Sequence, residues 1–214
     1  YTPGNQDKIL GTVTLSLQAT GNTPCGTVLD QLVLSVISSP KVFAGEDAYI
    51  CENENFTVTS ATSGLQGSIQ WTVLPESSGT LSGGQTITPT FTPAAGYYGE
   101  VTLTLRQEGA SACANITATD QCKLTIHKSP SAYAGEDQII VADNSTKLGG
   151  TATGGSGSYA WKWQPEDLLV DPSSMNPTTM PLGSSITFTL TVMDLVSSCS
   201  GTDQVTVSIG SPAF

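Results

Sequence analysis

The sequence is poor in charged residues, and especially poor in cations. Charged residues make up 12% of the 214, and seven Lys and Arg stand against eighteen Asp and Glu, which gives a formal net charge of −11. A surface with this balance repels phosphate groups, so nucleic acids and anionic membranes are poor candidates as partners.

Long apolar runs are missing as well. No stretch approaches the roughly 18 apolar residues that a membrane-spanning helix needs, and no signal peptide opens the chain. We therefore expect no membrane insertion, and we expect the sequence to be a mature or excised segment.

Residues typical of catalytic sites are scarce. His127 is the only histidine, and no convincing nucleophile accompanies it. The acid pairs at 46–47, 136–137 and 166–167 are adjacent in sequence. Because adjacent strand residues point to opposite faces, these pairs are poorly placed to flank one glycosidic bond. The sequence predicts no enzyme activity.

The sequence does contain many short runs in which apolar and polar residues alternate. Period-two alternation with β-branched neighbours predicts half-buried strands, and Gly, Pro, Ser and Asn interrupt the runs about every ten residues, as in β-sandwiches. Three pairs of such runs lie at 12–17 and 32–36, at 101–105 and 122–126, and at 188–192 and 205–209. The dipeptide Asp-Gln marks the start of each second run, at Asp30, Asp120 and Asp203.

One stretch divides the chain into repeats. Pro-Lys-Val-Phe-Ala-Gly-Glu-Asp at 40–47 returns as Pro-Ser-Ala-Tyr-Ala-Gly-Glu-Asp at 130–137, and Pro-Ala-Phe at 212–214 resembles the start of a third copy. These joints begin 90 and 82 residues apart, a period typical of tandem modules. We define three modules: residues 1–39 are the C-terminal part of a truncated module 1, 40–129 form a complete module 2, and 130–214 form a complete module 3.

Module 1 is too short to stand alone. Tyr1 aligns with Phe91, well past the middle of module 2, so residues 1–39 supply only the last strands. These strands alone could not bury a core, and their edges would be open. Either upstream sequence or strands from another chain complete this module.

Five cysteines in an acidic, Thr-rich β chain indicate an oxidising, extracellular location. Cys122 occupies the position of Leu32 and Val205 in the other modules, so it is expected to pack inward. That leaves Cys51 to pair with Cys113 in the loop between the last two strands, and Cys51–Cys122 stays the alternative. Cys199 has no partner inside its own module.

Aromatic residues in modules 2 and 3 allow two interpretations. Trp71 and Trp161 are expected to fill the sandwich cores, and period two places Tyr159, Trp161 and Trp163 on one face, which favours the core for these as well. Exposed aromatics can also stack on sugar rings. Trp163 is the candidate that reaches the surface, near Pro165, and faces a ligand.

Calcium is the candidate cofactor. Glu46, Asp47, Glu136 and Asp137 place carboxylates at the joints with few cations nearby, which suits a hard cation with oxygen ligands. The alternative is that these are solvated surface charges. If calcium binds, it should raise the melting temperature, and a curve unchanged by chelator would contradict it.

Several stretches resemble a known family. Ala-Gly-Glu-Asp-Gln-Ile-Ile at 134–140, Gly-Gly-Thr-Ala-Thr-Gly-Gly-Ser-Gly-Ser-Tyr-Ala-Trp at 149–161 and Asp-Gln-Val-Thr-Val at 203–207 resemble polycystic-kidney-disease (PKD)-type immunoglobulin-like repeats of Bacteroidetes surface proteins. Residues 1–31 resemble related repeats in the giant adhesins of gliding bacteria of that phylum. The chain departs from the animal and archaeal PKD pattern because Trp-Gln-Pro-Glu at 163–166 stands where Phe-Gly-Asp-Gly is expected.

The resemblance implies a fold class and a role. The fold would be all-β, with tandem immunoglobulin-like (PKD-like) antiparallel β-sandwiches in an elongated array. The protein would be a non-enzymatic structural or adhesive segment of a long cell-surface adhesin or filament, exported by type IX secretion. Its partners would be neighbouring repeats, other copies in a filament and surface glycans. The alternative is a carbohydrate-binding or spacer module of a secreted polysaccharide hydrolase.

Overall fold

A computed structural model of the chain describes residues 1–37, 39–64, 67–110 and 113–210. The suggested third joint at 212–214 lies outside these residues. The described part is built from strands, with one α-helix of six residues and short 3-10 helices that include those at Glu76–Ser78 and Glu166–Leu168. None of the described helices has the length and apolar character needed to cross a membrane.

Module 1 is a single hairpin. Helix α1 (Asn5–Leu10) leads into β1 (Thr12–Thr20), which pairs antiparallel with β2 (Thr27–Ser35) in a two-stranded sheet. Alternation of apolar and polar residues forms these strands, as the sequence predicts. Their apolar side chains are nevertheless exposed or only half-buried.

Module 2 is a sandwich of a four-stranded sheet and smaller sheets. The strands are β3 (Val42–Phe43), β4 (Ala48–Cys51), β5 (Phe56–Thr57), β6 (Thr62–Ser63), β7 (Ile69–Leu74), β8 (Gly79–Ser82), β9 (Thr90–Pro93), β10 (Gly99–Glu108) and β11 (Thr117–His127). The main sheet has the order β4-β11-β10-β7, and the facing strands pair as β5-β9-β8 and β3-β6. All pairs are antiparallel except β4, which runs parallel to β11.

Module 3 repeats this plan. Its strands are β12 (Ser131–Tyr133), β13 (Gln138–Val141), β14 (Thr151–Thr153), β15 (Tyr159–Gln164), β16 (Ile186–Asp194) and β17 (Ser200–Gly210). The main sheet has the order β13-β17-β16-β15, with β13 parallel to β17, and β12 pairs with β14. The order of the main sheet is therefore the same as in module 2.

Each complete module buries one core between its sheets. The core of module 2 is built around Trp71, Phe91 and Leu103, and that of module 3 around Trp163, Phe188 and Leu190. Two packed β layers around an alternating apolar face form an immunoglobulin-like sandwich. The predicted all-β, immunoglobulin-like fold class is confirmed.

The last hairpin is the same in all three modules. Leu17 lies opposite Asp30, Leu105 opposite Asp120 and Leu190 opposite Asp203. The glutamine of each Asp-Gln pair donates from Nε2 to a hydroxyl on the partner strand at 3.1 Å. Since a one-residue slip would turn every side chain to the other face, this shared register identifies β1–β2 as the equivalent of β10–β11 and β16–β17.

Candidate functional site at the module joint

In each complete module, the joint motif at its start is hydrogen-bonded to the last strand of the same module. The backbone N–H of Ala44 donates to Asp120 Oδ2, and the N–H of Lys123 donates back to Asp47 Oδ1, both at 2.8 Å. We call this pair of opposed hydrogen bonds the reciprocal lock. It joins the Ala-Gly-Glu-Asp motif to the Asp-Gln motif.

Module 3 contains the same lock at the same distances. Ala134 N–H donates to Asp203 Oδ2, and Thr206 N–H donates to Asp137 Oδ1, again both at 2.8 Å. In both modules the alanine is fully buried. The two motifs that recur in the sequence are thus the two halves of one contact.

The backbone conformation of the joint motif requires a glycine. Gly45 and Gly135 have φ of 99° and 92°, in the region that only glycine adopts readily. A Cβ on Gly45 would also meet Ser60 Oγ at 2.8 Å, and one on Gly135 would meet the carbonyl oxygen of Gly149 at 3.0 Å. The glycine lets the chain turn between the buried alanine N–H and the aspartate.

The lock uses the aspartate of each predicted calcium pair. Asp47 and Asp137 point at the last strand, whereas Glu136 accepts a hydrogen bond from the Tyr133 hydroxyl, which raises the pKa of that hydroxyl. In the part of the chain that the structure describes, no three His, Cys, Asp or Glu residues come together as a metal site. Calcium at Glu46, Asp47, Glu136 or Asp137 stays a prediction, and the melting experiment above tests it.

Removing the aspartate side of the lock is expected to destabilise a module. In Asp120→Ala or Asp203→Ala, a buried alanine N–H loses its acceptor, which should reduce the free energy of unfolding by about 1–3 kcal/mol. Asp30→Ala is the matched control, because the carboxylate of Asp30 is exposed and accepts from its neighbour Gln31 N. Urea denaturation checks this, and equal losses in all three variants would contradict it.

The disulfide links two modules. Cys51, at the end of β4, bonds to Cys199, in the loop between β16 and β17, with a Cα–Cα distance of 5.6 Å. Cys113 and Cys122 are free thiols. The predicted pairing of Cys51 with Cys113 is therefore wrong, and so is the alternative with Cys122.

The sheet topology explains why Cys51 does not pair with Cys113. β4 runs parallel to β11, so Cys51 is level with His127 at the C-terminal end of β11. Cys113 precedes Thr117, at the other end of the same strand. Ten residues of extended chain at about 3.3 Å each separate the two ends by roughly 33 Å. The end of β4 instead meets the next module.

The other half of the cysteine prediction fits the structure. Cys122 is buried in the core of module 2, where it packs as a small apolar side chain. Burial raises the pKa of its thiol to about 11, and the carboxylates of Asp47 and Asp120 act in the same direction. A thiol with this pKa is not reactive at neutral pH.

Polar contacts surround the disulfide at the joint. Glu52 N donates to the carbonyl oxygen of His127 at 2.8 Å, and Ser129 N donates to Glu52 Oε1 at 3.3 Å. Lys128 Nζ lies 5.1 Å from the centre of the Tyr98 ring, within range of a cation–π contact. Glu52, the residue after Cys51, is therefore hydrogen-bonded to the segment that leads into module 3.

Asp194 organises the loop that carries Cys199. Its buried carboxylate accepts from the backbone N–H groups of Ser156, Val196 and Ser197. These hydrogen bonds, from Ser156 and Ser197 above all, hold the pKa of Asp194 well below its usual range. The loop also lines a cleft of about 200 Å³ with His127 and Lys128 of module 2.

We expect Asp194→Asn to lower the melting temperature in a pH-dependent way. Because the folded pKa is depressed, the stabilisation from the carboxylate is complete above the unfolded value of about 4 and is lost as the pH falls towards the folded value. The difference between wild type and variant should be constant from pH 7 to about pH 5 and shrink below pH 4. A difference that does not change down to pH 2 would contradict this origin.

The structure corrects the prediction for Trp163. Its side chain is 0% exposed and packs in the core of module 3, so it faces no ligand. Trp71 pairs across the sheet with Leu105, and Trp163 pairs with the equivalent Leu190. Trp163, and not Trp161, is therefore the counterpart of Trp71.

Of the three tryptophans, Trp161 is the one whose side chain is partly exposed. It is partly buried against the core and lines an open groove of about 430 Å³ together with Lys162, Glu166 and Met193. Lys162 Nζ and Glu166 Oε1 form an ion pair of 3.0 Å at this groove. The Trp161 ring could stack on a sugar ring here, and the neighbouring polar groups could bond to the sugar hydroxyls.

Comparisons with known proteins show a similarity of fold alone. No protein-family model and no curated protein matches the sequence. Among solved structures, the C-terminal fragment of intimin in complex with the Tir intimin-binding domain is 13% identical, with a TM-score of 0.48 over 82% of this chain and 65% of that chain. Extracellular domains 3–5 of Drosophila OTK are 10% identical, with a TM-score of 0.43 over 88% and 68%.

Two features of the joint escaped the sequence analysis. The role of Asp194 could not be predicted from the sequence, because an acidic residue at the end of a strand is usually a solvated surface charge. The pairing of Cys51 with Cys199 did have one. Cys199 lacks a partner within module 3, and a cysteine in a neighbouring module could supply it.

Proposed function

We propose that this chain is a load-bearing structural segment of an extracellular array of immunoglobulin-like modules. The observation that carries the proposal is the disulfide between Cys51 and Cys199, which joins successive modules rather than two sheets of one module. A covalent bond at this place limits how far the array can be pulled apart. It also suits an oxidising environment outside the cytoplasm.

The finer role follows from the resemblance of the joints and hairpins to Bacteroidetes surface repeats. We propose a place in a long adhesin or filament used for attachment or gliding and exported by type IX secretion. Neighbouring repeats of the same polypeptide are its main partners, and other copies in a filament are further ones. The reciprocal lock supports this role because it closes modules 2 and 3 individually, so that complete modules can follow one another in an array.

Single-molecule stretching of the chain between its ends tests the load-bearing role. The two cysteines are 148 positions apart, and at about 3.4 Å per residue the part of the chain between them corresponds to about 500 Å when extended. The fully stretched oxidised protein should be shorter than its contour length by this amount. Reductant or the Cys51→Ser/Cys199→Ser variant should restore the missing extension. Full extension of the oxidised protein would overturn the proposal.

Glycan binding is the second candidate function, and the groove beside Trp161 favours it. The test is a glycan-array experiment with the wild type and with Trp161→Ala. Lys123→Ala is a control on the equivalent sheet of module 2, where Lys123 forms an exposed ion pair with Glu100. Binding that survives Trp161→Ala, or no binding by the wild type, would rule out this groove.

A further inference from the structure

The hairpin β1–β2 displays one half of the reciprocal lock. Asp30 stands where Asp120 and Asp203 stand in the other hairpins, opposite Leu17 in the shared register. Three residues after the aspartate, Lys123 and Thr206 donate their backbone N–H groups to the joint motif. The residue at this position in β2 is Val33, which is exposed.

The inner face of the same hairpin is uncovered. Leu17 and Leu32 are 71% and 62% exposed, whereas their counterparts Leu105 and Cys122 are 0% and 2% exposed. Within the described residues, β1 and β2 form a sheet of two strands, and the equivalent hairpins are central to sheets of four. No described residue therefore forms a strand beside β2 or covers the apolar face of the hairpin.

The two complete modules show what fits here. In each of them an Ala-Gly-Glu-Asp segment locks to the aspartate, and the strand that follows runs parallel to the last strand of the hairpin. The first residue of this strand pairs four positions after the aspartate, as Ala48 with Leu124 and Gln138 with Val207. In module 1 this position is Leu34.

We propose that β1–β2 is a binding site for a polypeptide strand that carries the Ala-Gly-Glu-Asp motif. The alanine N–H of this strand donates to Asp30, its aspartate accepts from Val33 N–H, and the following residues add a parallel strand beside β2 from Leu34 onward. In modules 2 and 3 the corresponding strand precedes its hairpin in the chain. This inference is independent of the inter-module disulfide.

The probe is a synthetic peptide of residues 130–141, Pro-Ser-Ala-Tyr-Ala-Gly-Glu-Asp-Gln-Ile-Ile-Val, which contains no cysteine. It is titrated into the isotope-labelled 214-residue protein and followed by amide chemical shifts and hydrogen exchange. We expect saturable binding with slowed exchange at Val33 and along residues 34–37. The sites in modules 2 and 3 are already filled by their own joints.

Two changes each remove one partner of the proposed hydrogen bond to Asp30. N-methylation of Ala134 in the peptide removes the donor, and Asp30→Ala removes the acceptor together with the exposed hydrogen bond from Gln31 N. Each should weaken binding about tenfold or more, because a hydrogen bond to a carboxylate is lost. Asp7→Ala, on α1 away from the lock, should leave binding unchanged.

A tethered form removes the dependence on affinity. The same peptide is joined to Tyr1 through a flexible Gly-Ser linker, which raises its effective concentration to the millimolar range. Protection at residues 33–37 that disappears with Asp30→Ala supports the proposal. It is overturned if the tethered peptide gives no protection, if N-methylation has no effect, or if the protein pairs through β1–β2 of two copies and excludes the peptide.

Discussion

The Cys51→Ser/Cys199→Ser variant is expected to lose about 5 kcal/mol of stabilisation against the state in which modules 2 and 3 are both unfolded. The disulfide closes a loop with a sequence separation of 148 residues, and in the chain-entropy model such a long loop strongly restricts the unfolded ensemble. If the modules unfold one after the other, the first transition should change little. The second transition should show the loss.

Guanidinium denaturation of the oxidised wild type and of the variant, followed by far-UV circular dichroism, measures this difference. Cys25→Ser is the matched control, because Cys25 is an exposed free thiol in the loop of module 1. Its curve should coincide with that of the wild type. A double variant that unfolds at the same denaturant concentration as the control would show that the disulfide does not stabilise the pair of modules.

The strands of the fold were predictable because the signal is local. The pairs of alternating runs became β1–β2, β10–β11 and β16–β17, since period-two alternation places one face of each strand on a core. The Asp-Gln repeats were visible in the sequence as well. Their partner was not, because the reciprocal lock connects residues 76 and 69 positions apart.

The disulfide could not be derived without the direction of one strand. β4 pairs parallel with β11, so the first strand of module 2 ends at the opposite pole from Cys113. Period-two patterns carry no information on whether neighbouring strands run parallel or antiparallel. Counting cysteines within a module therefore suggested a partner that the topology places at the far end.

The prediction that Trp161 fills the core and Trp163 reaches the surface was wrong for a similar reason. A match of the sequences places Trp161 over Trp71, because each stands four residues before a proline, Pro75 or Pro165, that caps a short 3-10 helix. Pairing with the next strand shifts the core position by two residues, to Trp163. Both choices put an aromatic residue on the inward face, so alternation alone could not distinguish them.

Trp163→Ala is expected to destabilise module 3 by about 3–5 kcal/mol, a large part of the total stability of a domain. The indole is fully buried among Leu148, Leu190 and other core residues, so its truncation leaves a cavity in the core. Trp161→Ala is the control. It removes a partly buried ring and should cost about 1–2 kcal/mol.

A second pair of variants probes the two buried indoles. Trp71 Nε1 donates to the carbonyl oxygen of Thr86 at 3.0 Å, whereas Trp163 Nε1 is buried with no acceptor among the described residues. Trp71→Phe therefore breaks a hydrogen bond and Trp163→Phe does not, so the first should be more destabilising by about 1 kcal/mol. Thermal melts of the four variants measure these differences. If Trp161→Ala proved more damaging than Trp163→Ala, the core register would be wrong, and loss of glycan binding in Trp163→Ala would reflect unfolding rather than a lost contact.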